Sequence, residues 1–213
     1  ENSEGYVTFK VQVGDTFYIK FNKTTYNMKK IILDHDLGPD CDDSAAIAIV
    51  VKAHMKGEIN CLAITSCMNT IVSAEAGAAV PHYLGCYDIP FSFNNERRAT
   101  GMNVRCCGTP SKQYWDRHNP WPTIQLNTPL LRQIFADNGN KRDIIFITTG
   151  PLTTVYCLFN SQPDSISPLT GRELFAQNVD WYMVGGGDFD RAIAEYLQKK
   201  KSTAFPQKAL PCL

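Results

Sequence analysis

The stretch IILDHDLGPDCDDSAA, which covers residues 31–46, decides the fold. Its first three residues belong to a short run rich in β-branched side chains, residues 29–33, and such a run predicts a buried strand. A turn dense in aspartate follows the strand, and a helix is predicted at residues 44–56, before Gly57. Strand, turn and helix in this order are typical of the first unit of an α/β domain.

The alternation of strand and helix continues along the rest of the chain. Further strands are predicted at residues 59–65, 89–93, 143–148 and 179–184. Further helices are predicted at residues 73–84, 128–137, 152–159 and 191–201. This alternation predicts an α/β fold with an open, mostly parallel sheet and helices on both faces.

Residues 1–27 and 202–213 flank the predicted main domain, residues 28–201. The first segment alternates polar with apolar side chains around a Gly14-Asp15 turn signal, which predicts a β-hairpin extension. The last segment has no periodicity and predicts an irregular tail.

Residues 94–126 interrupt the alternation inside the main domain. They are polar and aromatic, with several Gly and Pro residues, and such a stretch predicts a long functional loop or lid. The aromatic residues Tyr114, Trp115 and Trp121 either stack on a bound base or pack the loop against the core.

Charge and composition exclude several classes of function. The chain has 21 basic and 21 acidic side chains, so it offers no excess of positive charge to a nucleic-acid polymer or a membrane surface. No apolar run reaches the roughly 20 residues of a membrane span. With 44% apolar residues the chain can bury a full core, which argues against disorder. Assembly into a homo-oligomer stays open.

The eight cysteines leave the compartment open. No two of them have the Cys-x-x-Cys spacing of a zinc or thioredoxin-like site. Cys61 and Cys157 lie in apolar runs, where a free thiol behaves as a small hydrophobic side chain. Reduced thiols and disulfides both fit this pattern, and a cytoplasmic location is slightly favoured over a secreted one.

Five aspartates crowd the turn that follows the first predicted strand: Asp34, Asp36, Asp40, Asp42 and Asp43. In open α/β sheets, ligands bind outside the carboxyl ends of the strands. Helix capping accounts for one or two acids at a helix start, but the mutual repulsion of five requires a cation or protonation. Because calcium and magnesium prefer carboxylate oxygens, the turn predicts a metal site, with a solvated acidic loop as the alternative.

Two other kinds of site also place aspartates in such a turn. An EF-hand loop needs Gly at position six and Glu at position twelve, but counting from Asp34 gives Pro39 and Ala45, which excludes it. An aspartate-nucleophile phosphohydrolase also has Asp-x-Asp after an apolar strand. Its pattern continues with Thr or Val where this chain has Gly38, so this class, with Asp34 as the nucleophile, is the weaker alternative.

The acidic turn resembles the opening motif of the inosine–uridine nucleoside hydrolase family. That motif is an apolar strand, an Asp-x-Asp-x-Gly turn and an Asp-Asp pair that leads into an Ala-rich helix, and residues 31–38 and 42–46 supply these parts. Thr154 stands where a later family segment has Asn. Three later segments are similar to family segments in order and spacing: residues 62–69, 147–153 and 181–187.

The resemblance implies hydrolysis of the N-glycosidic bond of a ribonucleoside, with bound Ca²⁺ that lowers the pKa of a water. Asp36 matches the residue that ligates calcium and takes the proton from the water, so it is the expected catalytic residue. Asp42 and Asp43 match paired acids that ligate the metal, and Asp42 is also expected to contact ribose. Thr149 matches a residue whose backbone carbonyl ligates calcium, and Asn69 matches a ribose-binding Asn.

The chain departs from the family pattern after Gly187. The family continues with a Glu-x-Asn segment that grips ribose, whereas Asp188-Phe189-Asp190 follows here. The family also carries, further on, a His near the leaving base and an Asp that completes the calcium shell, but this sequence stops at Leu213. We therefore expect a domain that is incomplete at its C-terminal end and weak or lost hydrolysis. A non-catalytic protein that binds nucleosides or ribose is the second hypothesis.

Overall fold

The computed structural model of the protein describes residues 6–10, 16–20, 28–38, 41–97 and 105–185. The strands in these residues are β1 Tyr6–Lys10, β2 Thr16–Lys20, β3 Lys29–His35, β4 Ile59–Ser66, β5 Phe91–Phe93, β6 Ile124–Leu126, β7 Ile144–Thr148 and β8 Val179–Val184. The helices are α1 Asp42–Met55, α2 Ile71–Leu84, α3 Arg105–Arg117, α4 Asn127–Asn138, α5 Thr153–Asn160 and α6 Gly171–Asn178.

Six of the strands form one parallel sheet in the order β6-β5-β4-β3-β7-β8. Parallel neighbours need long crossover connections, and helices supply them here. The chain runs from β3 through α1 to β4 and through α2 to β5 on one side of β3. It runs from β7 through α5 and α6 to β8 on the other side. The predicted α/β fold with a parallel sheet is confirmed.

Helices cover both faces of the sheet, as predicted. Successive side chains of a strand point to opposite faces, and β3 shows this at two neighbouring positions. Leu33 belongs to a core with Val51 of α1 and Trp115 of α3. Ile32 belongs to a second core with Phe135 of α4 and Leu158 of α5. The two cores hold the sheet between two layers of helices.

The N-terminal strands pair with each other. β1 and β2 are antiparallel, with Tyr6 opposite Lys20 and Lys10 opposite Thr16, which confirms the predicted β-hairpin extension. The predicted turn at Gly14-Asp15, the helix predicted at residues 191–201 and the tail predicted at residues 202–213 lie outside the described residues.

The prediction of a loop at residues 94–126 is wrong in part. The segment contains the helix α3 and the short edge strand β6, which pairs with β5. Cys107, Ser111 and Trp115 are buried at a spacing of four residues, so α3 packs one narrow face against the core. Trp115 is 2% exposed, and its Nε1 donates a hydrogen bond to the carbonyl of Glu75 at 2.9 Å. Of the two roles that the sequence left open for Trp115, the structure shows the packing role.

Candidate functional site

The sheet reverses its winding direction between β3 and β7. The connection that leaves β3 goes to one side, and β7 lies on the other side, so the switch point of the sheet lies at the carboxyl ends of these two strands. Ligands of open α/β proteins bind at such a switch point. Asp36 directly follows β3, and Thr149 and Gly150 directly follow β7. The residues predicted at these strand ends therefore lie at the expected binding position.

Asp43 joins the two strand ends. It lies in the first turn of α1, where the helix dipole favours a carboxylate, and its side chain is 1% exposed. Its Oδ2 accepts a hydrogen bond from the backbone N–H of Asp36 at 3.2 Å. Its Oδ1 accepts one from the Thr149 hydroxyl at 2.7 Å. A carboxylate has about four acceptor positions, so Asp43 retains capacity for a further ligand.

Gly150 lets the β7 end approach Asp36 closely. A Cβ atom at this position would lie 2.6 Å from both Cβ and Cγ of Asp36, a distance that real side chains do not show. The backbone N–H of Thr149 donates to the carbonyl of Asp34 at 2.9 Å, which fixes the turn before Gly150. Glycine is therefore required where the turn meets the predicted catalytic carboxylate.

Asp42 and Asn69, the predicted ribose-binding residues, are both exposed. Asp42 is the first residue of α1, next to Asp43. Asn69 lies shortly after the end of β4, the neighbour of β3 in the sheet, and its Nδ2 donates to the carbonyl of Asn94 at 3.2 Å. Both side chains are thus on the carboxyl-end side of the sheet and open to solvent.

Asp34 was assigned no role in calcium binding or general-base catalysis, yet it lies beneath the site. Its side chain is 0% exposed, and its Oδ1 accepts hydrogen bonds from the hydroxyls of Thr65 at 2.6 Å and Thr154 at 2.8 Å. Its Oδ2 has no hydrogen-bond partner among the described residues. Burial raises the pKa of Asp34 to about 8, the charges of Asp36 and Asp43 add to the rise, and the two hydroxyls oppose it. The carboxyl group is therefore largely protonated at neutral pH.

Two neighbours of Asp34 are also held uncharged. Burial lowers the pKa of His35 to about 4, and its Nδ1 accepts a hydrogen bond from the backbone N–H of Leu37 at 3.1 Å. Burial raises the pKa of Cys67, and the carboxylates of the turn raise it further. A buried thiol in this state is not a nucleophile.

Asn94 organises the loop after β5 and was not predicted as a site residue. It is 2% exposed; its Oδ1 accepts from the backbone N–H groups of Glu96 at 3.0 Å and Arg97 at 3.3 Å. Its Nδ2 donates to the carbonyl of Cys67 at 3.3 Å, beyond the end of β4. The signal that could have identified it is the Asn94-Asn95 pair directly after a short apolar strand, which favours a side-chain-stabilised turn.

The donor atoms at the switch point suit a hard cation. They are carboxylate oxygens and backbone carbonyls, which calcium and magnesium prefer over nitrogen or sulfur. The buried Oδ2 of Asp34, which has no partner in the described part of the chain, is a further oxygen near these acids, but the protonated carboxyl group would have to lose its proton to bind a cation. By the type of their donor atoms, these residues suit Ca²⁺. Among the described residues, however, the carboxylates of Asp36, Asp42 and Asp43 do not form a group of three with ligand atoms within 4.8 Å of one another.

A group of that kind exists elsewhere, at His54, Cys86 and Asp88. His54 Nδ1 accepts the backbone N–H of Cys61 at 3.1 Å, so the neutral ring carries its proton on Nε2, which lies 3.2 Å from Asp88 Oδ2. A metal-bound histidine donates its second ring N–H, but this ring has no lone pair left for a metal. The group has a structural role, because it satisfies hydrogen bonds between α1, β4 and the end of α2.

In comparisons with known proteins, no family model matches this chain and no curated protein matches it. No helix in the described part of the chain is long and apolar enough to cross a membrane.

Proposed function

We propose that this protein hydrolyses the N-glycosidic bond of ribonucleosides to a free base and ribose. The observation that carries the proposal is the meeting of Asp36, Asp43 and Thr149 at the switch point of the sheet, joined by hydrogen bonds of 3.2 and 2.7 Å. These are three of the residues to which the resemblance to nucleoside hydrolases gives a calcium-binding role. The carboxyl end of a parallel sheet, at its switch point, is where α/β enzymes bind substrates.

The metal of the proposed reaction is Ca²⁺. The carboxylates of Asp36, Asp42 and Asp43 and the backbone carbonyl of Thr149 would hold it. When bound, calcium would lower the pKa of a coordinated water and offset the repulsion between the aspartates.

The protein's own side chains supply the remaining chemistry. Asp36 is half-buried, and its backbone N–H donates a hydrogen bond to Asp43, which fixes the backbone at this residue. Its carboxylate can then take a proton from the attacking water. Asp42 and Asn69 are exposed at the same end of the sheet and can bind the ribose hydroxyls. Negative carboxylates also stabilise the positive charge that develops on the sugar as the bond to the base breaks.

The two alternatives use different features of the site. A phosphohydrolase would need Asp34 as a nucleophile, but this side chain is 0% exposed and its Oδ1 is occupied by two hydroxyl donors, which weighs against attack on a phosphate ester. A nucleoside-binding protein would use the same exposed Asp42 and Asn69 without bond cleavage, and the experiment below separates it from an enzyme.

A reducing-sugar assay over a panel of ribonucleosides, with calcium or with a chelator, tests the proposal. We expect sugar release with calcium, and a decrease of about 10²- to 10⁴-fold for Asp36→Asn, because this variant removes the proton acceptor. Asp116→Asn, a substitution of an exposed aspartate in α3, is the matched control. Sugar release that neither the chelator nor Asp36→Asn reduces would contradict the proposal. Nucleoside binding without sugar release would favour the binding protein.

A further inference from the structure

A network of hydrogen-bonded, buried polar side chains lies beneath the site. Thr154 Oγ1 donates to Asp34 Oδ1 at 2.8 Å and accepts from Asn127 Nδ2 at 2.9 Å. Asn127 Nδ2 also donates to the carbonyl of Ser66 at 2.8 Å, and Asn127 Oδ1 accepts from the Ser92 hydroxyl at 2.6 Å. None of these side chains is more than 2% exposed. The hydrogen-bond network thus connects β3, β4, β5, α4 and α5 at the carboxyl end of the sheet.

The turn at residues 149–152 is attached to Asp34 at both of its ends. At its start, the backbone N–H of Thr149 donates to the Asp34 carbonyl at 2.9 Å. At its end, α5 begins, and Thr154, the second residue of α5, donates to the Asp34 carboxyl group. The neighbouring Thr153 donates to the carbonyl of Cys67 at 2.7 Å, which ties the same helical turn to the end of β4.

Thr154 is the central residue of this network because its single hydroxyl both donates a hydrogen bond and accepts one. The hydroxyl satisfies one oxygen of a buried carboxyl group and one N–H of a buried amide. Valine has the same shape but can form neither bond. A valine here would leave one N–H of the buried Asn127 amide without an acceptor and would leave Asp34 Oδ1 with one hydroxyl donor, Thr65, instead of two. Serine keeps both bonds. The Asn found at this point in the family would need two different atoms for the two bonds.

We propose that Thr154 is a positioning residue: its hydroxyl holds the turn at residues 149–152 so that Gly150 lies against Asp36. The part of this inference that concerns calcium rests on the proposed function. The part that concerns the turn rests on the hydrogen bonds alone.

Amide hydrogen exchange of Thr149 and Gly150, combined with calcium titration, tests the inference. Thr154→Val is compared with Thr154→Ser and with Thr148→Val, which removes a buried hydroxyl whose distance to the Tyr182 hydroxyl is 3.5 Å. The amide of Ile64, in the core strand β4, reports global unfolding. We expect Thr154→Val to accelerate exchange at Thr149 and Gly150 by about tenfold more than at Ile64. We also expect it to weaken calcium binding by about tenfold, and Thr154→Ser to restore both values.

Three results would overturn the inference. They are exchange at Thr149 and Gly150 that follows Ile64 in Thr154→Val, the same local acceleration in Thr148→Val, and no recovery in Thr154→Ser. If the wild-type protein binds no calcium but the exchange pattern is as expected, Thr154 does position the turn and the proposed function fails. If the wild-type protein binds calcium and Thr154→Val binds it equally well, the positioning role is wrong although the proposed function stands.

Discussion

Asp34 and His35 are adjacent residues whose burial shifts their pKa values in opposite directions, and both shifts favour the uncharged form. The pKa of Asp34 rises from 3.8 to about 8, and that of His35 falls from 6.5 to about 4. Folding therefore takes up a proton at Asp34 between about pH 4 and pH 8, and it releases a proton at His35 between about pH 4 and pH 6.5. Between about pH 4 and pH 6.5 the two groups therefore have opposite effects on the pH dependence of stability.

From pH 6.5 to pH 8 only Asp34, of these two residues, still makes stability depend on pH. We expect the free energy of unfolding to fall in this range as the pH rises. In this range the folded state holds a proton that the unfolded state has lost, so stability decreases by up to about 1.4 kcal/mol per pH unit, or about 2 kcal/mol in total. Urea unfolding in calcium-free buffer measures this decrease. Asp34→Asn removes the titrating group, and a decrease that persists in this variant would refute the assignment.

Gly150→Ala tests the close approach of the β7 end to Asp36. The added Cβ would meet Asp36 at 2.6 Å, so the turn or the carboxylate must shift, and we expect calcium binding to weaken by at least about tenfold. Gly108→Ala is the control, because its Cβ would make an ordinary contact of 3.5 Å with Val72. Unchanged calcium affinity in Gly150→Ala, measured by calorimetry, would show that the packing against Asp36 does not matter.

Elements with strong apolar patterns were predicted well from the sequence, and elements held by tertiary packing were not. The predicted strand at residues 29–33 is β3, which extends two residues further, to His35. α3 was missed because its sequence contains Gly108 and Pro110, which disfavour a helix, whereas its packing against α2, as in the hydrogen bond from Trp115 to the Glu75 carbonyl, is visible only in the structure. α6 was also missed, although Thr170 and Glu173 form a capping box, a signal that the sequence contains.

His54 links the end of α1 to an irregular position in β4. The strand has one extra residue, Leu62, opposite β3, and the backbone N–H of Cys61 before it donates to His54 Nδ1. His54→Leu leaves this N–H without an acceptor, and we expect a loss of about 1–3 kcal/mol in the free energy of unfolding. Asp88→Asn, at the exposed partner of the same ring, should cost less than about 0.5 kcal/mol. Equal losses for the two variants in urea titrations would contradict this explanation.

Arg132 of α4 fixes the connection between α5 and α6. It is 1% exposed, and its Nε and Nη2 donate to the two oxygens of Asp164 at 2.7 and 2.8 Å. Its Nη2 also lies 3.1 Å from the carbonyl of Ser167 and 3.0 Å from that of Leu169. The hydrogen bonds from Arg132 to the Asp164 carboxylate lower the pKa of Asp164 to about 2. Lysine cannot reproduce this fork of donors.

We therefore expect Arg132→Lys to lower the free energy of unfolding by about 3 kcal/mol. Arg117→Lys, at an exposed position in the last turn of α3, should change it by less than about 0.5 kcal/mol. Thermal and urea unfolding measure both variants. If Arg132→Lys is as stable as Arg117→Lys, the buried fork contributes little.

At the scale of the whole molecule, the strand order places the candidate site. Carboxyl ends of parallel strands meet at one edge of a sheet, so Asp36 and Thr149, far apart in sequence, could be expected to lie together once the strands were predicted. The supporting residues Asp34, Asn94 and Thr154 could not be assigned in this way. Their roles depend on hydrogen bonds between elements, which a single sequence does not reveal.

A calorimetric titration of the purified protein with calcium tests the central claim, that Asp36, Asp42, Asp43 and Thr149 form a cation site at the switch point. We predict one calcium ion per chain, with affinity lost in Asp36→Asn and retained in Asp116→Asn. No binding at millimolar calcium, or equal affinity in the wild-type protein and Asp36→Asn, would contradict the claim.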